Sequence, residues 1–182
     1  MRRIRLTRLA VTAGAAIALA CGEGRAIFNV DVLSYEPALA DTVPYLVPGG
    51  VSITQVRDSF PLDLPPGLGN AIVDSVSVRY GSTVLNAAGG GRFILAIFFS
   101  SDSTTIFSSS VRFADTAIVA GPDTQPLGPI SVPLFADSLF AQEKLWVGVR
   151  ASLVADPGPS LTGRFVTVSV LRLRIVIQDK FF

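Results

Sequence analysis

The sequence predicts an all-β protein, a single antiparallel β-sandwich of jelly-roll or Ig-like type with about 8–10 strands. Three observations carry that prediction. Short apolar segments alternate with polar residues or run uninterrupted for no more than seven or eight positions. Turn signals rich in Gly and Pro separate them every 8–15 residues. The 12 prolines cluster at 37–66 and 122–159 and are missing from Gly67 to Gly121 and from Ser160 onward. Proline removes a ladder donor, so central strands are expected in the proline-free stretches and edges or connections elsewhere.

In chain order, Phe28, Val30 and Val32 alternate with Asn29 and Asp31 and open the domain. Pro48-Gly49-Gly50 separates the strands Tyr45–Val47 and Val51–Thr54. Ile72, Val76, Val78 and Tyr80 form one apolar face, on which Asp74 is either a strand-end residue or a buried acid with a partner. The run Phe93–Phe99 is apolar on both faces and follows three glycines, which predicts a central strand covered on both sides. Further strands are expected at Val111–Phe113, Thr116–Ala120, Ile130–Leu134 and Leu145–Leu153. At most one short helix is expected, near 136–143, with Asp137 or Ser138 as its N-cap. In the last strand, Arg164–Gln178, the apolar positions change from even (Val166, Val168, Val170) to odd (Leu171, Leu173, Ile175, Ile177). That change predicts a bulge near Val170-Leu171. The loop Asp156-Pro157-Gly158-Pro159 is expected to join this strand to Leu145–Leu153 as a hairpin. Counting back in twos from Phe182 meets Lys180, Gln178, Val176 and Arg174, which does not suit a transmembrane barrel.

The amino terminus is an address. Arg2, Arg3, Arg5 and Arg8 precede an uncharged segment Leu9–Ala20, the layout of a secretory signal over residues 1–20. About a dozen apolar residues are too few for a membrane span. Ala18-Leu19-Ala20 leads directly into the chain's single cysteine, Cys21. This segment resembles the lipobox of bacterial lipoproteins. The resemblance implies cleavage before Cys21, attachment of lipid to its thiol and acylation of the new terminus. Where that family prefers Leu three residues before the cysteine, this chain has Ala18, and its Leu stands one place later. Cleavage at an ordinary A-x-A site is the alternative, giving a soluble periplasmic or secreted protein with a free thiol. On the lipobox reading, residues 21–26 form a short tether, and 27–182 form the sandwich held beside the membrane of the cell envelope.

Loss of the leader takes four of the 15 Lys+Arg, leaving 11 against 14 Asp+Glu, a net charge of −3. A nucleic-acid partner, which calls for a basic stripe, is therefore not expected. The chain contains no His, so the commonest general base and metal ligand are missing. No cofactor and no metal site is expected, since no loop carries a calcium-binding pattern and Gly89-Gly90-Gly91 precedes a strand rather than a phosphate-binding helix. The remaining acids are scattered singly, which makes a carboxylate hydrolase the weakest of three readings.

The first reading is a non-enzymatic envelope module that binds a protein or a second copy of itself, through an exposed apolar or aromatic patch. The second is a carbohydrate- or lipid-binding module using Trp146. Trp146 and Arg150 fall on the face opposite Leu145, Val147 and Val149, and the expected hairpin would bring Arg172 and Arg174 beside the indole. The competing reading of Trp146 is a side chain covered by a loop, with an arginine laid over it.

Overall fold

The computed structural model describes residues 25–64, 72–135 and 138–178, with the side chains of 134 and 135 left aside. The leader, Cys21 and the tail 179–182 lie outside the described residues, as does the proposed cap Asp137. Among the described residues there are nine strands: β1 (Arg25–Asp31), β2 (Thr42–Val47), β3 (Ser52–Asp63), β4 (Ile72–Ala88), β5 (Gly90–Ser100), β6 (Arg112–Ala120), β7 (Asp123–Phe135), β8 (Lys144–Ala155) and β9 (Leu161–Gln178). The rest is turn and 3-10 structure, including Ser138–Ala141 where a short helix was expected.

The strands form two antiparallel sheets. The first has the order β1-β9-β4-β7, with β2 also on β9, and the second β3-β8-β5-β6. Pairing is nested: β5 pairs with β6, β4 with β7, β3 with β8 and β2 with β9. A long antiparallel ribbon wrapped this way is a jelly roll, and β1 is an addition to it. The nesting overturns the expected carboxy-terminal hairpin. After Ala155 the chain crosses to the other sheet, so β8 and β9 face each other across the core instead of pairing.

The core lies between the sheets and is lined by Phe93, Leu95, Ile97 and Phe99 of β5, Leu145, Val147 and Val149 of β8, and Phe165, Leu171 and Leu173 of β9. Phe93 packs on Phe165 with ring centroids 4.9 Å apart. The proline rule holds where prolines occur: Pro44, Pro61 and Pro129 lie on β2, β3 and β7, strands at sheet edges. It fails for β6, an edge strand without proline, which carries the charged Arg112 and Asp115.

Bulges explain the phase anomalies. Asp74 is the extra residue between Val73 and Ser75 in the β4–β9 ladder, and it pairs with Arg25 at 3.5 Å. The offset turns Val73 inward and leaves Ile72 exposed, contrary to its expected place on the core face. In β9 the irregularity lies at 167–169, just before the expected position, because Gly81 pairs with Val170 but Thr83 with Val166. It inserts two residues rather than one. Odd positions therefore point inward on both sides of it, Phe165 before and Leu171 after, while Val166 and Val170 are only half-buried. The Ser82 hydroxyl donates to the Val166 carbonyl at this break, and the Thr167 N–H donates to the Asp41 carbonyl, satisfying backbone groups that the ladder abandons.

One end of the sandwich is closed by short connections. The Gly50 N–H donates to the Asp156 carbonyl and the Gly121 N–H to the Gly89 carbonyl. Beneath them Asn86, 5% exposed, accepts from the Tyr45 hydroxyl at 2.9 Å. Its amide donates to the Gly89 and Gly121 carbonyls at 3.0 and 2.6 Å. Burial pushes the Tyr45 hydroxyl pKa up to about 12. At the other end, where β1 begins, Arg25 pairs in register with Gln178. The first strand thus starts four residues after Cys21.

Candidate functional site

The four residues singled out as one face are divided between two. Trp146 and Arg150 lie on the outer surface of the four-stranded sheet, whereas Arg172 and Arg174 lie on the outer surface of the five-stranded sheet. The cause is the crossing after Ala155, which sends β9 to the opposite layer.

Trp146 is half-buried beside a turn, and the nearby arginine lies over Phe98 rather than over the indole. The indole is half-buried against Ala96, Phe98 and Ile106. Ile106 belongs to the turn Ile106–Ser108, which folds back over the sheet. Gly148 makes this possible, because a Cβ there would lie 2.7 Å from Ile106 Cγ1 and 3.4 Å from the Phe107 ring. Arg150 lies over the Phe98 ring, 5.0 Å from its centroid.

On the five-stranded sheet, the inward placement of Leu171 and Leu173 forces Arg172 and Arg174 outward. Register aligns Asp31, Arg172, Arg79 and Ser131 across β1, β9, β4 and β7, and Asn29, Arg174 and Ser77 in the adjacent row. Together they surround an open depression of about 500 Å³. Arg172 pairs with Asp31 at 3.5 Å, and both side chains remain about half-exposed. Such a pair is a weak surface contact, so Arg172 keeps donors available. Arg79 and Arg172 are direct cross-strand partners, an arrangement that repels in the free protein. A second depression of about 560 Å³ shares Asn29 and Asp31 and extends to Tyr35 and Asp63. Tyr35 is 57% exposed.

The combined surface offers guanidinium and amide donors, two acids on its rim and one exposed phenol. It can bind acidic or polyhydroxylated groups by multiple hydrogen bonds. Among the described residues no three His, Cys, Asp or Glu side chains converge to hold a metal. Of the exposed aliphatic side chains, Ile27, Leu46 and Ile72 stand on the five-stranded sheet and Ile118 on the four-stranded one. Sequence reading missed Arg79, Asn29, Asp31 and Tyr35 because their convergence depends on strand order. The available signal was the outward phase of Ser75, Ser77 and Arg79 against Val76 and Val78.

The fold and site define a jelly-roll sandwich with a polar, arginine-lined depression on one outer face. No protein-family model matches the chain, and no curated protein matches it in sequence. Among solved structures, the chain is similar to that of infectious bursal disease virus Gx strain, with TM-score 0.43 and 10% identity over 87% of this chain and 33% of that one. It is similar to that of the Gt strain with TM-score 0.35 and 13% identity, over 87% and 34% of the two chains. For TmCBM61 in complex with beta-1,4-galactotriose, the TM-score is 0.36 and the identity 10%, over 84% of this chain and 88% of that one. The chain spans about a third of the length of the two viral chains.

Proposed function

We propose that the chain is an exported, non-enzymatic lipoprotein of the bacterial cell envelope, attached to a membrane through lipidated Cys21. Its sandwich binds an acidic partner protein in the depression formed by Arg79, Arg172 and Arg174. The observation that carries this reading is the convergence of three outward arginines, of which Arg172 alone has a carboxylate within ion-pair distance among the described residues. The absence of His from the whole chain supports a binding role over acid–base catalysis. The leader ending at Ala20, directly before Cys21, which itself stands four residues before β1, supports a domain held close to the bilayer. Those residues reach no more than roughly 14 Å when extended.

A glycan ligand is the second reading, favoured by exposed Tyr35 beside the shared Asn29–Asp31 rim. The half-buried Trp146 supplies no comparable open platform.

Binding of poly-L-glutamate and of polygalacturonate to the wild-type chain and to an Arg172→Glu/Arg174→Glu variant tests the proposal. Both side chains are exposed, so the variant is expected to fold. Binding of poly-L-glutamate that falls about tenfold or more on charge reversal supports the protein reading. Selective binding of polygalacturonate supports the glycan reading. Binding of neither, or binding indifferent to charge reversal, overturns the assignment of the depression.

A further inference from the structure

The opposite outer face carries a second arginine cluster that the depression does not use. Arg57 of β3 is the direct cross-strand partner of Arg150 of β8, and Arg112 of β6 is paired with Phe98 of β5. The Arg112 and Arg150 guanidinium carbons lie 5.5 and 5.0 Å from the centre of the Phe98 ring. That of Arg57 lies 4.5 Å from the Phe107 ring. The two rings meet edge to face at 5.4 Å, so the three cations surround one aromatic step.

Among the described residues none of the three has a carboxylate within ion-pair distance; the ion pairs are Arg25–Asp74 and Arg172–Asp31. Edge-strand arginines such as Arg57 and Arg112 can be explained as guards against edge-to-edge pairing. Arg150 cannot, because β8 is central, and like charges directly opposite each other in a ladder are destabilising. Burial and the charges of Arg112 and Arg57 both push the Arg150 pKa down. The two rings lie against the guanidinium carbons, and a guanidinium seated on a ring face can still offer N–H groups to a ligand.

We propose that Arg57, Arg112 and Arg150 form a binding site for a phosphate group. A carboxylate has two oxygens and is satisfied by one guanidinium fork, whereas a phosphate presents three or four and can engage several arginines at once. The site stands on residues separate from the Arg172–Arg174 depression and does not depend on that assignment. Its phosphate comes either from a soluble phosphate ester or from the headgroup of an anionic phospholipid.

Trp146, the chain's single tryptophan, packs against Phe98 and reports occupancy. The full chain, purified in a zwitterionic detergent, is titrated with inorganic phosphate, and separately with vesicles of phosphatidylcholine alone or mixed with phosphatidylglycerol. Trp146 emission is followed in each case. A saturable change with phosphate identifies a soluble source; a change only with phosphatidylglycerol vesicles identifies the headgroup. In either case Arg150→Gln is expected to weaken binding about tenfold or more, while Arg164→Gln, exposed on the other sheet, leaves it unchanged. Arg57→Gln, on an exposed edge strand, repeats the test should Arg150→Gln unfold. The proposal is overturned if neither probe changes the emission, if the arginine variants at 57 and 150 bind like wild type, or if Arg164→Gln weakens binding equally.

Discussion

Replacing Asn86 with Ala removes the side chain that joins three chain segments at the glycine-rich end of the sandwich. The Gly89 carbonyl keeps a partner, because the Gly121 N–H also donates to it at 3.1 Å. The Tyr45 hydroxyl and the Gly121 carbonyl each lose one. Tyr45 is 5% exposed, so its stranded hydroxyl carries most of the penalty. A buried polar group left without a partner costs about 1–3 kcal/mol, and a partly exposed carbonyl less. The total is roughly 2–4 kcal/mol, a large share of the 5–15 kcal/mol typical of a domain. Urea unfolding followed by Trp146 fluorescence should show a midpoint about 1–2 M lower with the slope preserved. In a Tyr45→Phe background the stranded donor is gone, so the same substitution should cost about 1–2 kcal/mol less. A loss below about 0.5 kcal/mol, or an equal loss in both backgrounds, would refute the idea that this network holds the loops together.

Gly148→Val should wedge its side chain against Ile106, costing roughly 1–3 kcal/mol. It should also shift Trp146 emission to the red as the 106–108 turn lifts; an unshifted spectrum would show that the turn does not cover the indole. Alkaline stability should follow the tyrosines. Burial raises Tyr45 to about 12 and also raises Tyr80, with a smaller contribution from Asp115. Both phenols favour the neutral form in the folded state, so the contribution of each is complete below pH 10 and is lost above it, that of Tyr45 as pH rises through about 12. Tyr45→Phe should flatten that decline in a thermal-melt series at pH 9–12, and an unchanged decline would place its origin elsewhere.

Much of the sandwich was legible in local pattern. The Phe93–Phe99 run marked a doubly covered central strand, and Pro44, Pro61 and Pro129 fell on edge strands, because burial and missing donors act at the level of a few residues. Strand order was not legible. The nested pairing that separates β8 from β9 depends on contacts between residues far apart in sequence, and the loop at 156–159 has the same turn residues whether it closes a hairpin or crosses between sheets. The same limit hid the arginine depression. Arg79, Arg172 and Asp31 become neighbours only through the β1-β9-β4 order. The shift at 167–169 was half legible, since alternation shows that a shift exists but not how many residues it contains.

The proposed anchoring of the binding domain to the envelope through its amino-terminal cysteine is decided by intact mass spectrometry of the mature protein recovered from membranes. The expected product begins at Cys21 and carries the added mass of a diacylglyceryl group and an amide-linked acyl chain, and Cys21→Ser should lack both. A mature chain beginning at an unmodified Cys21, or one retaining Met1 to Ala20, would contradict it.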